Sequence, residues 1–127
     1  MKILIVSLLL ILVVVGCSDS IRTEFATLAD AKAARAFERG WLPPLLPEGA
    51  TRIVEVNDLD ADVGRGSFSF PSRSLVAYLR LLEESHGASI RKIPSGVEVR
   101  ITHSSIHWTL LLDSQAGQAT YRVTSRQ

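Results

Sequence analysis

From Val97 to Thr124 the sequence alternates with a period of two, and this constrains the fold more than any other feature. Val97, Val99 and Ile101 alternate with Glu98, Arg100 and Thr102. Ile106, Trp108, Leu110 and Leu112 alternate with His107 and Thr109, and Ala119, Tyr121 and Val123 with Thr120, Arg122 and Thr124. Successive side chains of a strand point to opposite faces, so each run reads as a strand with one apolar and one polar side. Ser104-Ser105 and Ser114 to Gly117 supply the turns. The C-terminal third is therefore predicted to be a three-stranded antiparallel meander.

Upstream the periodicity changes. Leu28, Ala29, Ala33, Ala36 and Phe37 recur at helical spacing and predict a helix over 27–39, with Thr27 and Asp30 as a variant capping box and Gly40 as its stop. Trp41-Leu42-Pro43-Pro44-Leu45-Leu46-Pro47 has three prolines in five positions, which excludes helix and central strand and predicts a stiff apolar connector. Residues 52–56 alternate as a strand, 57–66 read as a polar loop, and 67–70 alternate again with Phe68 and Phe70 on one face. A second helix starts near Ser72 or Ser74 and runs to about Ser85. Leu75, Val76, Leu79, Leu82 and Tyr78 form its apolar side, and Gly87 ends it. The order α-β-β-α-β-β-β predicts an α+β fold, a small antiparallel sheet with two helices on one face, occupying residues 26–127 as a single domain.

The first sixteen residues are of another kind. Met1-Lys2 is a basic start, Ile3 to Val15 is apolar apart from Ser7, and no acidic residue occurs before Asp19. This is the pattern of a secretory signal peptide, and it is too short for a comfortable transmembrane helix, which needs about twenty apolar residues. Val13-Val14-Val15-Gly16-Cys17 resembles the lipobox of bacterial lipoproteins. That resemblance implies a diacylglycerol thioether on Cys17, cleavage between Gly16 and Cys17, and acylation (typically palmitate) of the new amine. Two or three acyl chains give lasting attachment where one is marginal. By the sorting pattern of Gram-negative lipoproteins, Ser18 implies the outer membrane, facing the periplasm; Asp19 follows it. Residues 17–25, polar and short, are predicted to be a lipidated tether.

Charge and cysteine usage narrow the partners. The chain has 14 basic and 13 acidic residues, and removal of 1–16 takes only Lys2, so the mature formal charge is 13 − 13 = 0. Neutrality argues against nucleic acid, which needs a basic face, and against strong attraction to anionic lipid. Cys17 is the one cysteine, so no disulfide can form within the chain. Nothing in the sequence calls for a cofactor.

A second resemblance covers residues 25–71. Arg39-Gly40-Trp41-Leu42-Pro43, Leu46-Pro47, Ala50-Thr51-Arg52-Ile53, Asp58-Leu59-Asp60 and Gly66-Ser67-Phe68-Ser69-Phe70 resemble a group of small bacterial proteins with a GW-(I/L)-P … (I/L)-P … D-(I/L)-D … F-x-F pattern. It implies a shared fold for this segment and no activity.

Three constellations bear on chemistry. Asp58-Leu59-Asp60-Ala61-Asp62 begins like a calcium loop, but the positions that need glycine and glutamate hold Val63 and Ser69, so a solvated turn is expected. His103 and His107 flank a predicted hairpin turn without a third ligand, whereas zinc needs three or four. Ser104 or Ser105 with His103 and Asp113 lacks a nucleophile elbow. No catalytic or metal-binding residue is therefore assigned. Trp41, Leu42, Pro43 and Trp108 are the candidates for partner contact, because tryptophan is favoured at binding hot spots; the competing reading folds the proline loop over its own core. The expectation is a non-enzymatic, membrane-anchored envelope lipoprotein that binds a protein or polymer, as an accessory or immunity-like module. A small-ligand carrier with a pocket between helix and sheet is the alternative, with a hydrolase behind both.

Overall fold

The computed structural model describes residues 20–125. The predicted signal peptide, with Gly16 and Cys17, lies outside them. Seven strands form one antiparallel sheet: β1 Ser20–Thr27, β2 Thr51–Asp58, β3 Val63–Ser69, β4 Ser89–Ile93, β5 Gly96–His103, β6 Ile106–Asp113 and β7 Gln118–Ser125. Their spatial order is β1-β2-β3-β7-β6-β5-β4. Two meanders, β1–β3 and β4–β7, thus meet where β3 pairs with β7, with Gly66 opposite Tyr121 and Gly64 opposite Val123. Helices α1 (Leu28–Ala33) and α2 (Leu75–His86) complete an α+β fold. Among the described residues no helix is long and apolar enough to cross a membrane.

One face of the sheet is covered. The alternation predicted for 97–124 is present: Val99, Ile101, Trp108, Leu110, Leu112, Ala119, Tyr121 and Val123 are buried, and Val97 and Ile106 are partly buried against them. Both helices and the proline segment add to this same core, through Ala31, Leu42, Leu46, Leu75, Tyr78 and Leu82, as does Ala36 between α1 and the prolines. The prolines leave few backbone donors to satisfy, and the Tyr78 hydroxyl donates to the Leu45 carbonyl at 2.6 Å, which fixes α2 to the segment.

The element order differs from the prediction at three places. Residues 20–25, read as tether, belong to β1, which pairs along its length with β2 from Ser20–Asp58 to Thr27–Thr51. As an edge strand it buries only Phe25, so its apolar signal is thin. The same holds for β4, absent from the prediction, which fully buries no residue. The predicted helix over 27–39 divides: Thr27 caps α1 by accepting from the Asp30 amide at 3.2 Å, but Arg35 turns left-handed (φ 55°) and a 3-10 turn, Ala36–Arg39, follows. An alanine-rich helix has little packing to sustain it, and seating Ala36 and Phe37 against the core outweighs helix propensity. Gly40 ends the turn with φ 79°. On α2, Val76 was expected on the apolar side and is 67% exposed.

Candidate functional site

The inward face has a polar island. β2 alternates, but two of its three buried positions hold Glu55 and Asn57, 1% and 6% exposed. Each faces a glycine on β3, Glu55 opposite Gly66 and Asn57 opposite Gly64. The glycines make room for large rings. A Cβ on Gly66 would strike the ring and hydroxyl of Tyr121, and a Cβ on Gly64 would lie 2.7 Å from the Asn57 carboxamide oxygen and 3.0 Å from the ring of Trp41. Tyr121 therefore lies across Gly66 toward Glu55, and Trp41 lies across Gly64 above Asn57. Val123, beside Gly64, pairs with Trp108 on β6, which extends the row.

Four polar atoms of this region have no hydrogen-bond partner among the described residues: Glu55 Oε2, Asn57 Oδ1, Trp108 Nε1 and the Tyr121 hydroxyl. Two accept and two donate, and each loses water contacts at a cost of about 1–3 kcal/mol when left unmatched. Burial raises the Glu55 carboxyl above its ordinary value, opposed by the Arg39 guanidinium. Burial, helped by the Glu55 charge, raises Tyr121 as well. The site thus favours neutral hydrogen-bonding groups. Beside the island a groove of about 170 Å³ is lined by Arg39, Gly40, Trp41, Asp62, Ile106 and Val123, so the half-buried indole also faces this opening.

The residues singled out from sequence are distributed differently. Leu42 and Trp108 are 1% and 3% exposed and Pro43 is fully buried, so these three cannot form an exposed contact edge. The proline segment is folded onto its own core, and of the four candidates Trp41 alone retains partial exposure. His103 follows the inward parity of Ile101, while His107 follows the outward parity of Thr109, so the two imidazoles leave the β5–β6 hairpin on opposite faces. His107 Nδ1 is 2.9 Å from Thr102 Oγ1. Asp113 ends β6 at the opposite end from the Ser104-Ser105 turn, and its carboxylate accepts the Gln115 and Ala116 amides. Asp58 likewise accepts the Asp60 and Ala61 amides, at 3.1 and 3.2 Å, which makes Asp58–Asp62 a turn built on its first aspartate. Sequence reasoning passed over Glu55, Asn57 and Tyr121. The available signal was a strand with acid and amide at inward positions, followed by Gly-x-Gly.

The fold defines a class: an antiparallel α+β domain with one covered and one open sheet face. Within it residues 19–69, which include β1, α1, β2 and β3, match the family model of the YbbD head domain. The segment is similar to that domain, and the second meander lies beyond the match. No curated protein matches the chain, and no solved structure matches it.

Proposed function

We propose that this chain is a lipid-anchored binding module of a bacterial cell envelope, acylated on Cys17 after cleavage at Gly16 and carrying a non-enzymatic domain that contacts an envelope protein or polymer. Ser18 directs the anchor to the outer membrane, facing the periplasm. The observation that carries the reading is the proximity of β1 to the lipobox. Only Ser18 and Asp19 separate Cys17 from the first residue of β1. Three Cα steps span at most about 11 Å, so the lipid would hold the sheet itself at the bilayer surface. The separation of the histidines and of Ser104, Ser105 and Asp113 supports a binding role over hydrolysis. The seam between α2 and the sheet is filled by Leu75, Tyr78, Leu82, Val99 and Ile101, which supports surface contact over an enclosed carrier pocket.

Metabolic labelling with a fatty acid tests the anchor. The parent chain should take up label and fractionate with membranes, and Cys17→Ser should lose both. An unmodified Cys17 on protein isolated from its own host would overturn the reading.

A further inference from the structure

The face of the sheet away from the helices carries an asymmetric charge pattern that net neutrality conceals. One cross-strand row runs Arg22, Val56, Arg65, Arg122, Thr109, Arg100. Arg65 and Arg122 stand directly opposite each other on β3 and β7, an arrangement that destabilises a sheet when both residues are charged. The other arginines of this face have carboxylate partners: Arg22 meets Glu24 at 2.7 Å, and Arg91 and Arg100 meet Glu98 at 2.9 and 3.1 Å. Arg65 and Arg122 have no ion pair among the described residues. Apolar groups lie around them, Val54 and Val56 half-buried and Leu111 45% exposed, with the hydroxyls of Ser67, Thr120 and Thr124 on adjoining rows.

We propose that this face rests on the anionic phospholipid headgroups of the bilayer that holds Cys17, with Arg65 and Arg122 pairing with their phosphates. The inference rests on the lipid-anchor reading. The occupant follows from two observations. The first is charge complementarity. Of the four carboxylates that share the face with five arginines, Glu24 and Glu98 pair with Arg22, Arg91 and Arg100, and Asp58 and Asp113, at opposite ends of the sheet, accept turn amides. Arg65 and Arg122 are left for phosphate, with which the planar guanidinium forms bidentate pairs. The second is where the chain starts. Arg22 is five residues from Cys17, at most about 18 Å, and Arg122 lies three strands further on, about 14 Å. A groove of about 470 Å³ joins the two regions, with Ser20, Val56, Asp58, Arg65 and Arg122 in its walls. The aspartates of the 58–62 turn stand at the rim. Phosphate repels them, which tips the sheet so that the arginine row, and not the turn, approaches the bilayer. Neutral overall charge is compatible with this contact because the carboxylates of the face are engaged, Glu24 and Glu98 by other arginines and Asp58 by the amides of its own turn.

The test uses the chain from position 17 onward with Cys17→Ser, which retains every described residue, and thermal unfolding verifies that each variant folds. Sedimentation is measured with vesicles of phosphatidylcholine alone and of phosphatidylcholine mixed with phosphatidylglycerol. The parent should bind the mixed vesicles, release at raised salt, and leave the neutral ones unbound. Arg65→Gln with Arg122→Gln should weaken binding about 30-fold, each arginine near an anionic surface contributing roughly a factor of five. Arg73→Gln with Arg80→Gln, on the helical side, should bind like the parent. Equal binding to both vesicle types, or an undiminished double variant at 65 and 122, overturns the proposal. Fatty-acid labelling of Cys17 is read separately. Headgroup binding with a bare Cys17 removes the anchor and leaves the face, and an acylated Cys17 without headgroup binding does the reverse.

Discussion

Tyr78 and Tyr121 are equally buried, each 2% exposed, yet their hydroxyls differ in one respect that fixes opposite outcomes for the same substitution. Tyr78 donates to the Leu45 carbonyl at 2.6 Å, whereas the Tyr121 hydroxyl has no partner among the described residues. Replacement by phenylalanine keeps the ring and its packing in both cases. Tyr78→Phe removes a hydrogen bond worth about 1 kcal/mol and leaves the Leu45 carbonyl unmatched, so a loss of about 2 kcal/mol is expected. Tyr121→Phe removes a hydroxyl that was desolvated without compensation, so the expected change lies between zero and a gain of about 1 kcal/mol. For a domain of this size 1 kcal/mol corresponds to a shift of about 4–8 °C in Tm. Tyr78→Phe should therefore melt about 10 °C below the parent, and Tyr121→Phe at or slightly above it, in reversible thermal unfolding followed by circular dichroism. If Tyr121→Phe loses as much as Tyr78→Phe, the hydroxyl is matched in solution and the description of the polar island is wrong.

Glu55→Gln should stabilise the domain at neutral pH. The folded-state carboxyl titrates above its ordinary value of 4.5, so its favourable contribution is complete below that pH and is lost as pH rises through the raised value. Urea midpoints of parent and variant should diverge on going from pH 4 to pH 8, and parallel midpoints would refute the assignment. Gly66→Ala puts a methyl group against the Val54 carbonyl and the Tyr121 ring, so a loss of about 1–3 kcal/mol is expected in the same assay. On α2, Leu82→Ala should cost about 2–5 kcal/mol from a fully buried position. Val76→Ser, at 67% exposure, should change stability by less than about 0.5 kcal/mol. A comparable loss at both would contradict the orientation of the helix.

Legibility in the sequence followed burial. The strands from Val97 to Val123 were readable because most of their inward apolar positions are deep in the core, with only Val97 and Ile106 half-buried near the strand starts. The turn at Asp58 was readable in kind because a short carboxylate capping nearby amides is a local matter; the same role of Asp113 was not read from the sequence, where it was weighed only as a triad acid. The edge strands were not, since β1 buries only Phe25 and β4 no residue fully, and backbone pairing alone leaves no mark on side-chain pattern. β3 was shortened because Gly64 and Gly66 occupy inward positions where apolar residues are sought. Their reason lies in Trp41 and Tyr121, the latter more than fifty positions away along the chain. Trp41-Leu42-Pro43 and Trp108 show the same limit from the other side: tryptophan serves equally well in a core and at a contact, and only the tertiary structure separates the two.

The pairing of β3 with β7 has a consequence for how the molecule is completed. Residues 63–69 must wait for residues 118–125, the last described strand along the chain, before β3 acquires its second neighbour. A product cut short ahead of Gln118 would present two raw margins, one on β3 and one on β6, each offering unbonded amides and carbonyls to other chains. The segment that resembles the YbbD head domain ends on one of those margins. In this protein its closure is a task for the last eight strand residues, and damage at the far end of the chain should be felt first at the front.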